Sequence, residues 1–346
     1  MYAETARVSA ETARVYAETA RVYAETARVH ETAGVTGREG VRLQPLARAK
    51  AASLGEAGAA WLAGLPSVLD ELAERWALTW GSPLPGGSAS YVVSATTAAG
   101  EQRVVKLALP DPDLADGARV LRAARGRGYA VLHDHAPEHA ALLLERLGPS
   151  LDHRPLPPER TLDLLVDTLA EAWALPVAAV GPDDAPPADK ATSLHAMVVE
   201  LDDRLELCAP GVRRQALEYA ARRTAAQDPD AVLVHGDPHA SNALRVLEPR
   251  PGAASGFVFV DPDGFRCDPA YDLGVVLRDW TGRLETGGRA VLEAYCDRVA
   301  ERSGVDRARI WEWAFLERVS TGLYVSSFGG TSIGARFLRS AELLLD

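Results

Sequence analysis

The chain has 346 residues, 47% of them hydrophobic and 25% charged, enough to bury one large core or two lobes and too apolar to be disordered throughout. Its formal net charge of −11 argues against nucleic acid as a partner and suits a small cationic substrate, because a negative site concentrates cations. Cys208, Cys267 and Cys296 are too few and too scattered for a disulfide framework or a zinc site, and neither an apolar leader nor an apolar run of about 18 residues occurs. A cytoplasmic protein with no membrane partner is expected.

Residues 1–44 are dominated by tandem heptads, YAETARV and SAETARV, that place Ala3, Ala6, Ala10 and Ala13 at the a and d positions of a helical seam. Alanine buries little area, so the repeats predict a marginal helix and a dispensable tail, with the protein a monomer or a weak oligomer through this segment. From residue 45 the pattern changes. Leu65, Leu69, Leu72 and Trp76 recur at helical spacing, with Pro66 suited to the first turn of that helix. YVVSAT at 91–96 and QRVVKLAL at 102–109, separated by a turn at 98–100, predict a hairpin. A helix over 115–124 follows, then strands in YAVLH (129–133) and AALLLERL (140–147) around a polar turn. After Gly148 the chain is mostly helical, with Leu162, Leu165, Leu169 and Trp173 on one face, a loop over 176–190, and two strand-like runs, AVLV (231–234) and FVFV (257–260). The pattern predicts an α+β fold of two lobes around a cleft: a small antiparallel sheet lobe at 45–147 and a larger helical lobe at 148–346.

The second lobe holds the segment that carries chemistry, HGDPHASN, His235 to Asn242. H-x-D-x-x-x-x-N is the pattern of a kinase catalytic loop, in which the Asp accepts the proton of the substrate hydroxyl and the Asn amide oxygen ligates magnesium. Asp261 directly follows FVFV, where a second magnesium-binding carboxylate belongs. Upstream, Lys106 sits inside VVKLAL, where a kinase keeps the lysine that holds the nucleotide phosphates; alone, it would equally suit a lysine snorkelling from a strand.

Taken in this order, these residues resemble the aminoglycoside phosphotransferase family of the protein-kinase-like superfamily, over roughly residues 45–346. HGDPHASN is similar to that family's catalytic loop and VDPDGFRCDPAYDLG to its metal loop with the following D-P-x-x-D-L element. The resemblance implies a protein-kinase-like two-lobed fold and the cofactors ATP and Mg2+. Asp237 would be the catalytic base, Asn242 and Asp261 the metal ligands, Lys106 the phosphate anchor, and His235 and Asp272 supports of the loop. Gly86, Gly87 and Ser88 of LPGGSASYVV would present backbone N–H groups to phosphate, although a plain turn accounts for them equally. LLLERLG at 142–148 is similar to the hinge, whose backbone at Glu145 and Leu147 would face adenine; an edge strand is the alternative. The Glu that pairs with the kinase lysine is missing. Residues 113–117 offer Asp113, Asp116 and Gly117 instead, and Asp116 is the expected substitute.

A protein kinase is disfavoured, because Gly236 stands where the loop Arg belongs and no A-P-E segment follows. Patches such as GEAGAAWLAGLP, RWAL, LLLERLGPSL and WEWAFLERVSTGLYV are similar to the streptomycin 6-kinase and hydroxyurea phosphotransferase branch. That branch implies phosphorylation of an aminocyclitol hydroxyl and antibiotic resistance. Asp263, Asp268 and Asp279, with Glu312 and Glu317 on the Trp-rich last helix, are candidates for binding the substrate's cationic groups, with solvated or structural acids as the alternative for each. Two other readings stay open: a kinase of another small hydroxyl substrate, such as a macrolide, sugar or amino acid, and a non-catalytic nucleotide-binding or scaffold protein.

Overall fold

The computed structural model describes residues 43, 45–84, 90–110, 117–179, 189–226, 230–327 and 329–346. The heptad repeats, the Gly86–Gly87–Ser88 loop and both Asp113 and Asp116 lie outside the described residues. The chain divides into two compact units, one ending at Pro110 and the other beginning at Asp111.

The first unit opens with helices α1 (Pro45–Ser53) and α2 (Gly55–Arg75). Leu65, Leu69 and Leu72 form the buried stripe of α2, as their spacing predicts. Pro66 does not start that helix; it lies in its interior. The missing proline N–H removes only the bond to the Leu62 carbonyl, and the burial of Leu65, Leu69 and Leu72 holds the helix on both sides of it, so the helix runs through. Three antiparallel strands follow in the order β1 (Leu78–Pro83), β2 (Ser90–Thr97) and β3 (Gln102–Ala108). The predicted hairpin is β2–β3. Its register sets Tyr91 against Leu107 and Val93 against Val105, all four buried on one face, while Lys106 lies opposite Val92 on the other.

The second unit begins with α3 (Gly117–Ala124) and a hairpin of β4 (Leu132–Ala136) and β5 (Ala141–Glu145) around a 3-10 turn. The first strand of this hairpin starts later than YAVLH suggests, because the backbone before it pairs elsewhere. Ala130 donates to the Phe259 carbonyl at 2.9 Å and Phe259 to the Gly128 carbonyl at 2.8 Å, and Tyr129 is fully buried. Then come α4 (Pro158–Trp173), α5 (Lys190–Leu205) and α6 (Pro210–Ala225). Two short ladders follow: β6 (Val232–Val234) pairs with β9 (Phe265–Cys267), and β7 (Ala243–Arg245) with β8 (Phe257–Phe259). The unit closes with α7 (Pro269–Arg278), α8 (Thr281–Ser303), α9 (Arg307–Ser327) and α10 (Thr331–Glu342). The Trp-rich helix α9 is therefore not the last. Sheet and helices together make the α+β architecture that the sequence predicts.

Helix α9 is the axis of this unit. Every side chain from Ile310 to Ser320 is buried, and the helix touches α5, α6, α7, α8 and α10. A helix so enclosed must neutralise any charge it carries. Glu312 is paired with Arg222 at 2.7 Å and Arg223 at 2.6 Å, and Arg318 donates to Ser340 Oγ and to the Leu277 carbonyl, both at 2.8 Å. Helix α7 packs closely on α9 at Gly274, where a Cβ would stand 2.6 Å from Trp313 Cβ and 2.8 Å from the Ala314 nitrogen. No helix among the described residues is long and apolar enough to cross a membrane. Gly274→Ala must push backbone against backbone, so it is expected to destabilise the protein by about 1–3 kcal/mol, read as a lower urea midpoint of tryptophan fluorescence.

Candidate active site

Strand β6 ends at Val234 and delivers His235 to a fully buried position. The backbone N–H of Asp237 can only donate, so His235 Nδ1 accepts it at 3.0 Å; the Val260 carbonyl can only accept, so His235 Nε2 carries the proton between them at 2.9 Å. The ring stacks on Tyr129 with centroids 5.9 Å apart and contacts Phe259 at 4.8 Å. Burial pushes its pKa down to about 4, which keeps it the neutral tautomer those bonds require.

Asp272, in the first turn of α7, is also fully buried. It accepts the backbone N–H groups of His235 at 2.8 Å and Gly236 at 2.9 Å and the Trp173 indole N–H at 2.8 Å, while burial pushes its carboxyl up to about 7. Gly236 has φ +97°, and a Cβ there would stand 2.5 Å from that of Asp263, so only glycine fits between the two. The carbonyl of His235 accepts the Asp263 N–H at 2.8 Å, which joins the H-G-D turn to the V-D-P-D-G turn.

The Asp237 side chain stands at the mouth of this arrangement, 38% exposed. Its Oδ1 accepts from Arg278 Nη2 at 2.9 Å, and its Oδ2 lies 3.2 Å from His239 Nε2. Burial works to raise its pKa, but the Arg278 charge and the His239 contact override that and hold the carboxyl well below the usual carboxylate range. Asn242 donates its amide nitrogen to the Asp237 carbonyl at 3.0 Å, which leaves the amide oxygen as the atom with capacity for a cation. The Asn242 carbonyl in turn accepts the Val260 N–H at 2.9 Å, one residue before Asp261. Asp261 has φ +59°, a left-handed conformation that costs about 1–2 kcal/mol for a residue other than glycine and clusters at functional sites. A carboxylate and an amide oxygen are the donor types that hard divalent cations prefer, so Asn242 and Asp261 fit Mg2+.

The other residues singled out in the sequence fall in different places. Lys106 lies on β3 of the first unit. Glu145 accepts the Val131 N–H at 2.8 Å and pairs with Arg250 at 2.6 Å, and Leu147 is buried. Gly117 opens α3, where a Cβ would stand 2.9 Å from the Pro262 carbonyl oxygen. Asp263 remains open to solvent, yet desolvation by the surrounding protein and then the Asp237 charge push its carboxyl up to about 6. Asp279 accepts from Arg278 Nε at 3.0 Å, and Glu317, buried on α9, lies 3.4 Å from Arg278 Nη1. Asp268 caps α7 through the Ala270 N–H at 2.8 Å and pairs with Arg309, while Glu312 is held by Arg222 and Arg223. Both acids thus spend their charge inside the fold.

Sequence reasoning missed Arg278, Trp173 as a donor to Asp272, and the side chain of His239. The histidine was visible inside HGDPHASN. Arg278 is 41 positions from Asp237, and nothing local links the two.

The neutral His235 makes a direct expectation: nitrogen-resolved NMR should show the Nε2–H tautomer persisting down to about pH 4, and titration near the ordinary 6.5 would contradict the assignment. Since the folded pKa is depressed, stability contributed by this group is present above pH 6.5 and is lost as pH falls toward 4.

The chain is similar to known proteins. A family model described as aminoglycoside/hydroxyurea antibiotic resistance kinase matches residues 75–329. The chain is 29% identical to a streptomycin 6-kinase of Streptomyces glaucescens over 305 residues, 87% of this chain and 96% of that one. It is 29% identical to a hydroxyurea phosphotransferase of Kitasatospora aureofaciens over 293 residues, 84% of this chain and 82% of the other. Among solved structures, an amicoumacin kinase in complex with AMP-PNP, Ca2+ and Ami superposes with a TM-score of 0.54 at 11% identity, covering 80% of this chain and 92% of that one, which shows the protein-kinase-like fold. With the family model spanning most of its length, including the loop from His235 to Asn242, the chain belongs to the aminoglycoside/hydroxyurea antibiotic resistance kinases and is a small-molecule phosphotransferase with a hydroxyl acceptor.

Proposed function

We propose that the protein transfers the γ-phosphoryl group of ATP to a hydroxyl of streptomycin or a related aminocyclitol, and so confers resistance to it. The observation that carries this reading is the anionic setting of Asp237. Asp263, Asp279 and Glu317 lie around it, and a guanidinium, that of Arg278, already sits among them. A cationic acceptor suits such a site, as does the net charge of −11. Asp263 and Asp279, both exposed, are the acids assigned to the substrate's cationic groups; Asp268, Glu312 and Glu317 drop out because they are buried and paired with arginines.

In this reading the acceptor oxygen forms a bond to the γ-phosphorus, the bond from that phosphorus to the bridging oxygen of ADP breaks, and the hydroxyl proton passes to Asp237. A carboxylate held well below the usual range is a weak base, so Asp237 acts first by orienting the hydroxyl and takes the proton late, as the P–O bond forms. Asn242 and Asp261 would hold Mg2+, which when bound neutralises charge on the transferring phosphates. Lys106 is assigned the α- and β-phosphates, the Gly86–Gly87–Ser88 loop the phosphate backbone contacts, and the main chain at Glu145 and Leu147 the adenine. Residues 45–147 then serve the nucleotide and 148–346 the catalysis and acceptor. Because the hydroxyurea phosphotransferase is as similar in identity as the streptomycin 6-kinase, hydroxyurea is the second acceptor to consider.

Purified protein incubated with Mg-ATP and a panel of streptomycin, hydroxyurea, other aminoglycosides, macrolides, sugars and homoserine is expected to add one phosphoryl group to streptomycin, detected by mass spectrometry. Asp237→Asn should lower kcat by about 10³-fold or more with ATP affinity retained, and sustained turnover would remove Asp237 from the role of base. Deleting residues 1–44 should leave kcat/KM within a few-fold and any weak self-association, read by sedimentation, abolished; a folded but inactive truncation would refute the dispensable tail.

A further inference from the structure

We propose that Arg278 is a positioning residue for the reaction: its guanidinium, fixed by Asp279 and Glu317, holds one carboxylate oxygen of Asp237 and so sets which oxygen meets the acceptor hydroxyl. The proposal rests on the reading of Asp237 as the base.

A guanidinium is planar and rigid, with donors that diverge in fixed directions. Those of Arg278 are shared among three elements: Nε to Asp279 at 3.0 Å, Nη1 toward Glu317 on α9 at 3.4 Å, and Nη2 to Asp237 Oδ1 in the catalytic loop at 2.9 Å. Two of the three carboxylates lie off the loop, and Glu317 is itself only 4% exposed on the enclosed helix. The plane of the guanidinium is thereby set by the body of the unit, and its remaining edge is presented to the loop. A second tie keeps it there. Arg318, next to Glu317, donates to the carbonyl of Leu277, next to Arg278, so the last turn of α7 cannot shift without breaking contacts to α9.

The exposures argue against a pairing that only stabilises the fold. The Arg278 side chain is 12% exposed and that of Asp237 38%, so a buried cation holds a carboxylate that stays open to solvent. Arg278 takes Oδ1, while Oδ2 faces His239 Nε2 at 3.2 Å, a side chain 23% exposed, so the incoming hydroxyl would approach on the Oδ2 side beside that histidine. One positive charge among Asp237, Asp279 and Glu317 leaves the group anionic, so the clamp is compatible with a cationic acceptor.

The test is steady-state kinetics of the full chain with Mg-ATP and streptomycin, or hydroxyurea if that is the compound phosphorylated, for Arg278→Met, Arg278→Lys and Asp237→Asn. Arg278→Met is expected to lower kcat by about 10²-fold with the KM for ATP within about threefold, and Arg278→Lys, which keeps the charge but lacks the rigid planar fork, to recover about tenfold of the loss. An Arg278→Met protein with kcat within about threefold of the unaltered one overturns the proposal, as does equal impairment of both variants with a matching rise in the KM for ATP. If Arg278→Met does not fold, judged by circular dichroism, Arg278→Lys decides alone: a kcat about tenfold lower at constant KM for ATP supports the clamp and an unchanged kcat refutes it. Turnover surviving Asp237→Asn would instead show that the underlying reading of the base has failed, whatever the Arg278 variants do.

Discussion

A single buried carboxylate holds the catalytic loop in shape. Asp272 is shut away from water, an expensive place for a carboxyl group, and part of the cost is offset by three donors: two consecutive backbone N–H groups of the loop and one indole from α4. Those two peptide groups lead into the turn at Gly236, which takes φ +97° and gives no side chain to the adjacent turn. Because Asp272 stands in the first turn of α7, the loop geometry is referred to a helix packed backbone to backbone on α9. His235 adds the second support, crossing from the Asp237 N–H to the Val260 carbonyl through one neutral imidazole. The H-G-D turn and the V-D-P-D-G turn thus share a common frame.

Upon that frame sits an uneven charge distribution. Carboxylates outnumber cations around Asp237, and the pressure shows in two opposite responses. Asp237, with a guanidinium in contact, is held ionised; Asp263, with protein mass and other carboxylates around it, is pushed toward protonation. Elsewhere in the unit the same residue types serve a different end. Asp268 and Glu312 meet Arg222, Arg223 and Arg309 in the interior and tie α6, α7 and α9 together, so acids close in sequence to the site are remote from it in role.

Where a signal is local, the sequence is informative. HGDPHASN carries its chemistry within eight residues, and the alternation of YVVSAT and QRVVKLAL sets a register that the hairpin keeps. Where the outcome depends on competition between distant partners, it is not. Pro66 satisfies the local rule for a helix start, but the burial of Leu65, Leu69 and Leu72 on either side carries the helix past it. YAVLH has the composition of a strand, yet its first residues pair with Phe259 from another part of the chain. WEWAFLERVS carries three charges, two of them acids that the sequence offers to the substrate, and all three are buried because five helices surround it.

What the sequence determined by itself was the fold and the reaction class, because H-x-D-x-x-x-x-N and the Asp after FVFV are local patterns of a phosphotransferase, the class to which the family match assigns the chain. Tertiary structure alone decided which charges serve the site and which the core. An arginine 41 positions away becomes the partner of the Asp237 carboxylate, while two acids that looked available are neutralised inside. The physical reason is that Coulomb interactions depend on distance in space and on burial, and neither is written in the spacing of residues along a chain.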